Sequence, residues 1–121
     1  MKETYITICG FNHYYGMMPF KIGTKVRCVK EPDNNYDSEA IKVVMSHIGT
    51  VGYVANSVGT VALGCRSAGA VGQIFKKDFW AEVMFITHSK VICRCFEVMD
   101  EKSFVNSEIN GGYFNEEYVI K

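Results

Sequence analysis

The sequence predicts a mainly β fold: a small six-stranded OB/SH3-like β-barrel with one short α-helix. Three observations carry that expectation. The length of 121 residues fits one domain. Apolar and polar residues alternate with period two in short runs, and Gly, Asn and Pro stand between the runs. A single stretch has helical spacing instead.

In chain order, Tyr5, Thr7 and Cys9 oppose Ile6 and Ile8 in a first strand. Lys25 to Lys30 forms a second, with Val26 and Cys28 alternating with Lys25 and Arg27. Ile41, Val43 and Met45 alternate with Lys42 and Val44 in a third, and Val51 to Val54 follows Gly49 as a fourth. Phe79 to Thr87 and Val91 to Val98 read as a long hairpin turning through His88, Ser89 and Lys90, with Trp80 expected to fill the core. The helix is expected to begin at Asn56 or Ser57, either of which can cap the first turn. Val58, Val61, Ala62, Cys65 and Ala68 then repeat as one apolar stripe, with Gly69 as the stop.

Composition excludes several classes. An apolar fraction of 48% is that of a globular protein, so wholesale disorder is ruled out. No apolar run reaches the roughly 18 residues that a membrane-spanning helix needs, so no membrane partner is expected. Five cysteines without a CxxC pair, and no cleavable signal ahead of Tyr5, predict free thiols and a cytoplasmic location. Cys93 and Cys95 share a strand face, but none of His13, His47 and His88 stands at ligand spacing to them, so no metal or other cofactor is expected. No GxSxG, Gly-rich phosphate loop or paired carboxylates at convincing spacing appear, so the chain is not expected to be an enzyme.

The formal net charge of zero conceals an asymmetry. Residues 1 to 97 carry a balance of +3, whereas residues 98 to 121 carry −3. The chain therefore divides into a β-barrel domain, residues 1–98, and an acidic C-terminal extension, residues 99–121. Phe104, Ile109, Tyr113, Phe114 and Tyr118 imply that the extension docks on the barrel.

Two loops stand out. Glu31-Pro32-Asp33-Asn34-Asn35-Tyr36-Asp37-Ser38-Glu39 is rich in residues that close turns on their own backbone, so it reads first as a structural turn. The alternative is a binding loop, in which Tyr36 stacks on a planar ligand and Asp37 accepts a hydrogen bond from a hydroxyl. Gly10-Phe11-Asn12-His13-Tyr14-Tyr15-Gly16 places three successive rings between glycines, and they cannot all face one core. It is either a loop folded over a barrel end or a set of exposed rings for base stacking.

The succession Gly10…His13-Tyr14-Tyr15-Gly16, Glu31 to Val43 (an EPxNxYDxxAIxV pattern) and Gly52-Tyr53-Val54 resembles the HIRAN domain over about residues 5 to 97. That family occurs at the N-terminus of helicase-like translocases that remodel stalled replication forks. It also occurs as free-standing bacterial proteins, which this short chain looks like. The resemblance implies a module that captures single-stranded DNA by its free 3′ end, in DNA repair or fork processing. By motif position, Tyr36 and Asp37 match the Tyr-Asp that receives the 3′-hydroxyl, and Asn34 a pocket-lining Asn. His13 and Tyr14 would stack on the terminal bases, and Tyr53 would border the pocket where helicase members carry His. Asn12 and Asn56 replace an Arg and a Lys of the helicase-type domain, leaving Lys21, Lys25, Arg27, Lys30 and Lys42 as substitutes; Lys25, Arg27 and Lys42 complete the expected nucleic-acid surface. The alternative function is a protein-interaction barrel without nucleic acid. A third expectation is that the acidic extension lies across the binding face and competes with phosphates.

Overall fold

Alternation gives each strand one apolar face, and six such faces close around a common core. The computed structural model describes residues 3–96. The strands are β1 (Thr4–Cys9), β2 (Lys25–Lys30), β3 (Ile41–Met45), β4 (Gly49–Val54), β5 (Phe79–Ile86) and β6 (Val91–Phe96), with helix α1 (Ala68–Ile74) before β5. They form a closed antiparallel barrel in the order β1-β4-β3-β2-β5-β6. The expected barrel and its hairpin are thus present. The extension, residues 99–121, lies outside the described residues, and with it its docking.

The interior is filled by Ile6, Ile8, Val26, Cys28, Ile41, Val43, Met45, Val51, Phe79, Val83, Val91 and Cys93, each at most 1% exposed. Two irregularities bend the wall so that it can close. The β3–β4 register slips between Val43 and Val44, and the β5–β6 register slips between Val83 and Phe85. The first slip brings Val51 and Gly52 inward in succession. At Gly52 an added Cβ would lie 2.8 Å from Ile8 Cγ2 and 2.9 Å from the Cys9 carbonyl. The β1–β4 seam therefore requires glycine. At β5 the core aromatic is Phe79, stacked on Phe75 with centroids 4.7 Å apart, and not Trp80 as the sequence suggested. Strand pleating turns Trp80 outward, where the Arg27 guanidinium lies 5.8 Å over its ring.

The helix forms ten or so residues later than its apolar stripe predicts. Residues 57 to 61 make one turn, in which Thr60 and Val61 both donate to the Ser57 carbonyl at 3.0 Å. Gly64 then adopts φ +91°, which ends any right-handed helix. Val58 and Leu63 are fully exposed, so the stripe has no core to face. The segment is pinned instead by buried Thr7, whose hydroxyl accepts the Ala62 N–H at 3.0 Å. Ser67, not Asn56 or Ser57, caps α1 by accepting the Ala70 N–H at 3.2 Å. Ala68 and Val71 then join the core, and packing outweighs the roughly 1 kcal/mol that each of Gly69 and Gly72 costs a helix interior.

The five cysteines are free thiols. Burial pushes the Cys28 and Cys93 thiols far up and that of Cys95 to about 12, so these three lack thiolate at neutral pH. A maleimide should label half-exposed Cys9 and Cys65 in the native protein and spare Cys28, Cys93 and Cys95 until denaturant is added, as read by peptide mass spectrometry. Gly52→Ala should lower stability by roughly 1–3 kcal/mol in urea titration, since the clash is with backbone as well as side chain.

Candidate functional site

The β2–β3 loop is fastened by one side-chain amide. Asn34 Oδ1 accepts the Tyr36 N–H at 2.9 Å and the Asp37 N–H at 3.0 Å. Its Nδ2 donates to Glu31 Oε1 at 3.1 Å, and its backbone N–H to the Glu31 carbonyl at 3.0 Å. Below it, the Glu31 N–H reaches the Ala40 carbonyl at 2.8 Å and closes the loop base. Tyr36 is 98% exposed at the tip of this fixed turn, so the ring has no structural employment.

Glu31 extends the arrangement to the barrel. Tyr53 on β4 donates its hydroxyl to Glu31 Oε1 at 2.8 Å, and Lys42 Nζ on β3 lies 3.7 Å from Oε2. The Asn34 amide, then the Tyr53 hydroxyl and Lys42, hold the Glu31 carboxyl below its usual range despite partial burial. Burial and the Glu31 carboxylate raise the Tyr53 hydroxyl, which stays a proton donor. Tyr14, from the loop after β1, packs its ring on Tyr53 with centroids 6.5 Å apart and a tilt of 35°. Lys30, Glu31, Pro32, Asp33, Asn34, Asn35, Tyr36 and Tyr53 enclose an open groove of about 500 Å³, within the roughly 300–1,000 Å³ of small-molecule sites.

Asp37 stands beside this groove. Its Oδ1 accepts the Glu39 N–H and its Oδ2 the Asn56 amide, both at 2.9 Å. Each oxygen retains a lone pair for a further donor. Asn56 also donates to Glu39 Oε1 at 3.2 Å and accepts the Gly69 N–H at 2.9 Å, tying the loop to α1. A Cβ on Gly69 would meet the Glu39 carboxylate at 2.6 Å, so glycine there leaves that carboxylate in its place beside Asn56. Between loop and helix lies a second cavity of about 180 Å³ lined by Lys30, Pro32, Glu39, Ile41, Gly69 and Gly72 among others.

The structure thus joins Tyr14, Asn34, Tyr36, Asp37, Lys42 and Tyr53 of the expected site into one hydrogen-bonded and ring-packed group. His13 is exposed in a 3₁₀ turn, Phe11–His13, but does not line the groove. Lys25 and Arg27 lie on the outside of β2 in ion pairs with β5 and its approach: Lys25 with Glu82 at 4.0 Å, Arg27 with Asp78 at 3.6 Å. Glu31 and Asn56, the two connectors, were not expected. Glu31 stands three residues before Asn34 across a Pro, a spacing that closes turns and was the available signal. Asn56 had no local signal, since its partners are 13 to 19 residues away.

The family model of the HIRAN domain matches residues 1–62, just over half of the chain. The chain belongs to the HIRAN domain family. The matched span carries β1 to β4 and every expected site residue, whereas α1, β5 and β6 follow it. HIRAN domains are generally nucleic-acid-binding modules. No curated protein and no solved structure matches this HIRAN chain. Among the described residues, no group of three or more His, Cys, Asp and Glu comes together as a metal set, and no helix is long and apolar enough to cross a membrane.

Replacing Glu31 by Gln should cost about 1–2 kcal/mol at neutral pH, because the Lys42 contact and the charge-assisted bonds from Asn34 and Tyr53 weaken. The Glu31 carboxyl is depressed in the folded state, so its contribution is complete above the unfolded range and lost as pH falls through the folded value. The stability gap between wild type and Glu31→Gln, followed by circular dichroism, should accordingly shrink below about pH 4.

Proposed function

We propose that this HIRAN chain is a binding module, not an enzyme, that takes single-stranded DNA by its free 3′ end in DNA repair or replication-fork processing. The observation that carries the reading is the Asn34-fastened turn. It presents Tyr36 wholly exposed beside an Asp37 carboxylate with accepting capacity left over. In this reading the terminal base stacks on Tyr36, against the wall made by Tyr53 and Tyr14. Asp37 accepts the 3′-hydroxyl and repels a 3′-phosphate. Five free thiols suit the reducing cytoplasm.

One observation favours a second reading, a protein-interaction barrel. The groove and its rim carry Glu31, Asp33, Asp37 and Glu39 against Lys30 and Lys42, an acidic balance. Salt-dependent oligonucleotide binding separates the two readings, since a protein-binding barrel would show none.

Fluorescence anisotropy tests the first. An oligonucleotide with a 3′-hydroxyl should bind more tightly than the same strand with a 3′-phosphate. Asp37→Asn, which keeps the shape and removes the charge, should erase most of the difference. Tyr36→Ala should weaken binding by about 1–3 kcal/mol, the scale of one stacked base. Equal affinity of wild type for the two ends would overturn the 3′-end reading.

A further inference from the structure

Five basic residues lie on the described strands, and four of them are neutralised. Lys25 faces Glu82, Arg27 faces Asp78, Lys42 faces Glu31, and Arg94 lies 3.1 Å from Glu82 and 3.4 Å from Glu3. Lys30 differs. Its ammonium donates to the Gly72 carbonyl at 2.9 Å, a neutral acceptor, and Asp78 meets only its backbone N–H, at 3.1 Å.

Its place is also distinctive. Lys30 lines both the groove that holds Tyr36 and Tyr53 and the cavity beside α1. At about 180 Å³ that cavity falls below the volume of a nucleoside-sized site, yet it adjoins the groove through Lys30 and Pro32, which line both. An ammonium has three donors, and the Gly72 carbonyl takes one. The remaining two are available to oxyanions. Because α1 already orients the side chain, binding there loses less rotamer freedom than at a freely rotating surface lysine.

We propose that Lys30 holds a backbone phosphate of the bound strand at the junction of the groove and the α1 cavity. This rests on the reading of the chain as a single-strand binder and adds the source of its anion contact. Asn56 is committed to Asp37, Glu39 and Gly69, and Asn12 carries no charge, so neither supplies a cationic contact. The four carboxylates around the groove make an unneutralised cation there the more necessary.

The test is the slope of log affinity against log salt for a short oligothymidylate with a 3′-hydroxyl. Lys30→Gln should weaken binding roughly tenfold at moderate salt and lower the slope by about 0.7, one single-strand phosphate contact. Lys30→Arg should retain the slope, which separates charge from folding. The double variant Lys25→Gln, Arg27→Gln should leave it unchanged. An unchanged slope in Lys30→Gln overturns the proposal. If wild type does not distinguish 3′-hydroxyl from 3′-phosphate but Lys30→Gln still lowers the slope, the 3′-end reading falls and the Lys30 assignment stands. Preference for the hydroxyl with an unaltered slope gives the reverse, and absence of oligonucleotide binding removes both.

Discussion

The Asn34 side chain is the constraint on which the site depends. One amide holds two successive backbone N–H groups with its oxygen and the Glu31 carboxylate with its nitrogen. A loop of this length would otherwise lose roughly 1–2 kcal/mol of backbone entropy per ordered residue with no packing to offset it, because Tyr36 at its tip touches no core. Ordering by internal hydrogen bonds leaves the ring free for a ligand. Ordering by burial would have consumed it. The same amide aims the Glu31 carboxylate, and through Glu31 the Tyr53 hydroxyl and the Lys42 ammonium take fixed places on β4 and β3.

A second clamp acts from the other side. Asp37 and Glu39 reach Asn56, and Asn56 reaches the Gly69 N–H in the first turn of α1. The helix is short and carries two glycines, a composition poor in helix propensity. Its sequence becomes intelligible once the loop is considered, because any side chain at Gly69 would displace the Glu39 carboxylate. Glycine there costs the helix intrinsic stability and leaves the Glu39 carboxylate in place on the Asn56 amide, and Val71, Ala68 and the Phe75–Phe79 stack hold the helix through the core. Helix and loop are joined through the Gly69 N–H and the Asn56 amide.

How much of this was legible follows the range of each signal. β2 and β3 are legible to the residue, because alternation over five or six positions is set by the strand itself. The closed barrel followed from strand count and length. The helix lies elsewhere than its stripe predicts because periodicity does not guarantee burial: Val58 to Cys65 has the spacing, but Gly64 at φ +91° and the hydroxyl of Thr7 some 55 residues away decide the path. Trp80 misled for a similar reason, since size suggested the core while the pleat assigned it to Phe79. In the site, Asn34, Tyr36 and Asp37 stand within four consecutive residues, so one motif shows them together. Glu31 to Tyr53 and Asp37 to Asn56 are closures across 22 and 19 residues, and no local pattern announces them.

The charge balance takes its meaning from these closures. A chain with as many acids as bases looks unsuited to a polyanion, and most of its strand cations are in fact used within the barrel. Counting bases, though, measures affinity for the middle of a strand, where every nucleotide brings a phosphate. A 3′ terminus differs by ending on a neutral hydroxyl, so the last sugar can approach a carboxylate that an internal nucleotide could not. An acidic rim with one uncompensated lysine would bind such an end weakly but exclude phosphorylated ends and continuous strands strongly. On this reading, the same carboxylates that lower affinity for nucleic acid in general supply the discrimination. The site need not be basic to be selective, provided the phosphate immediately inside the terminus meets Lys30, the strand cation without an ion pair among the described residues.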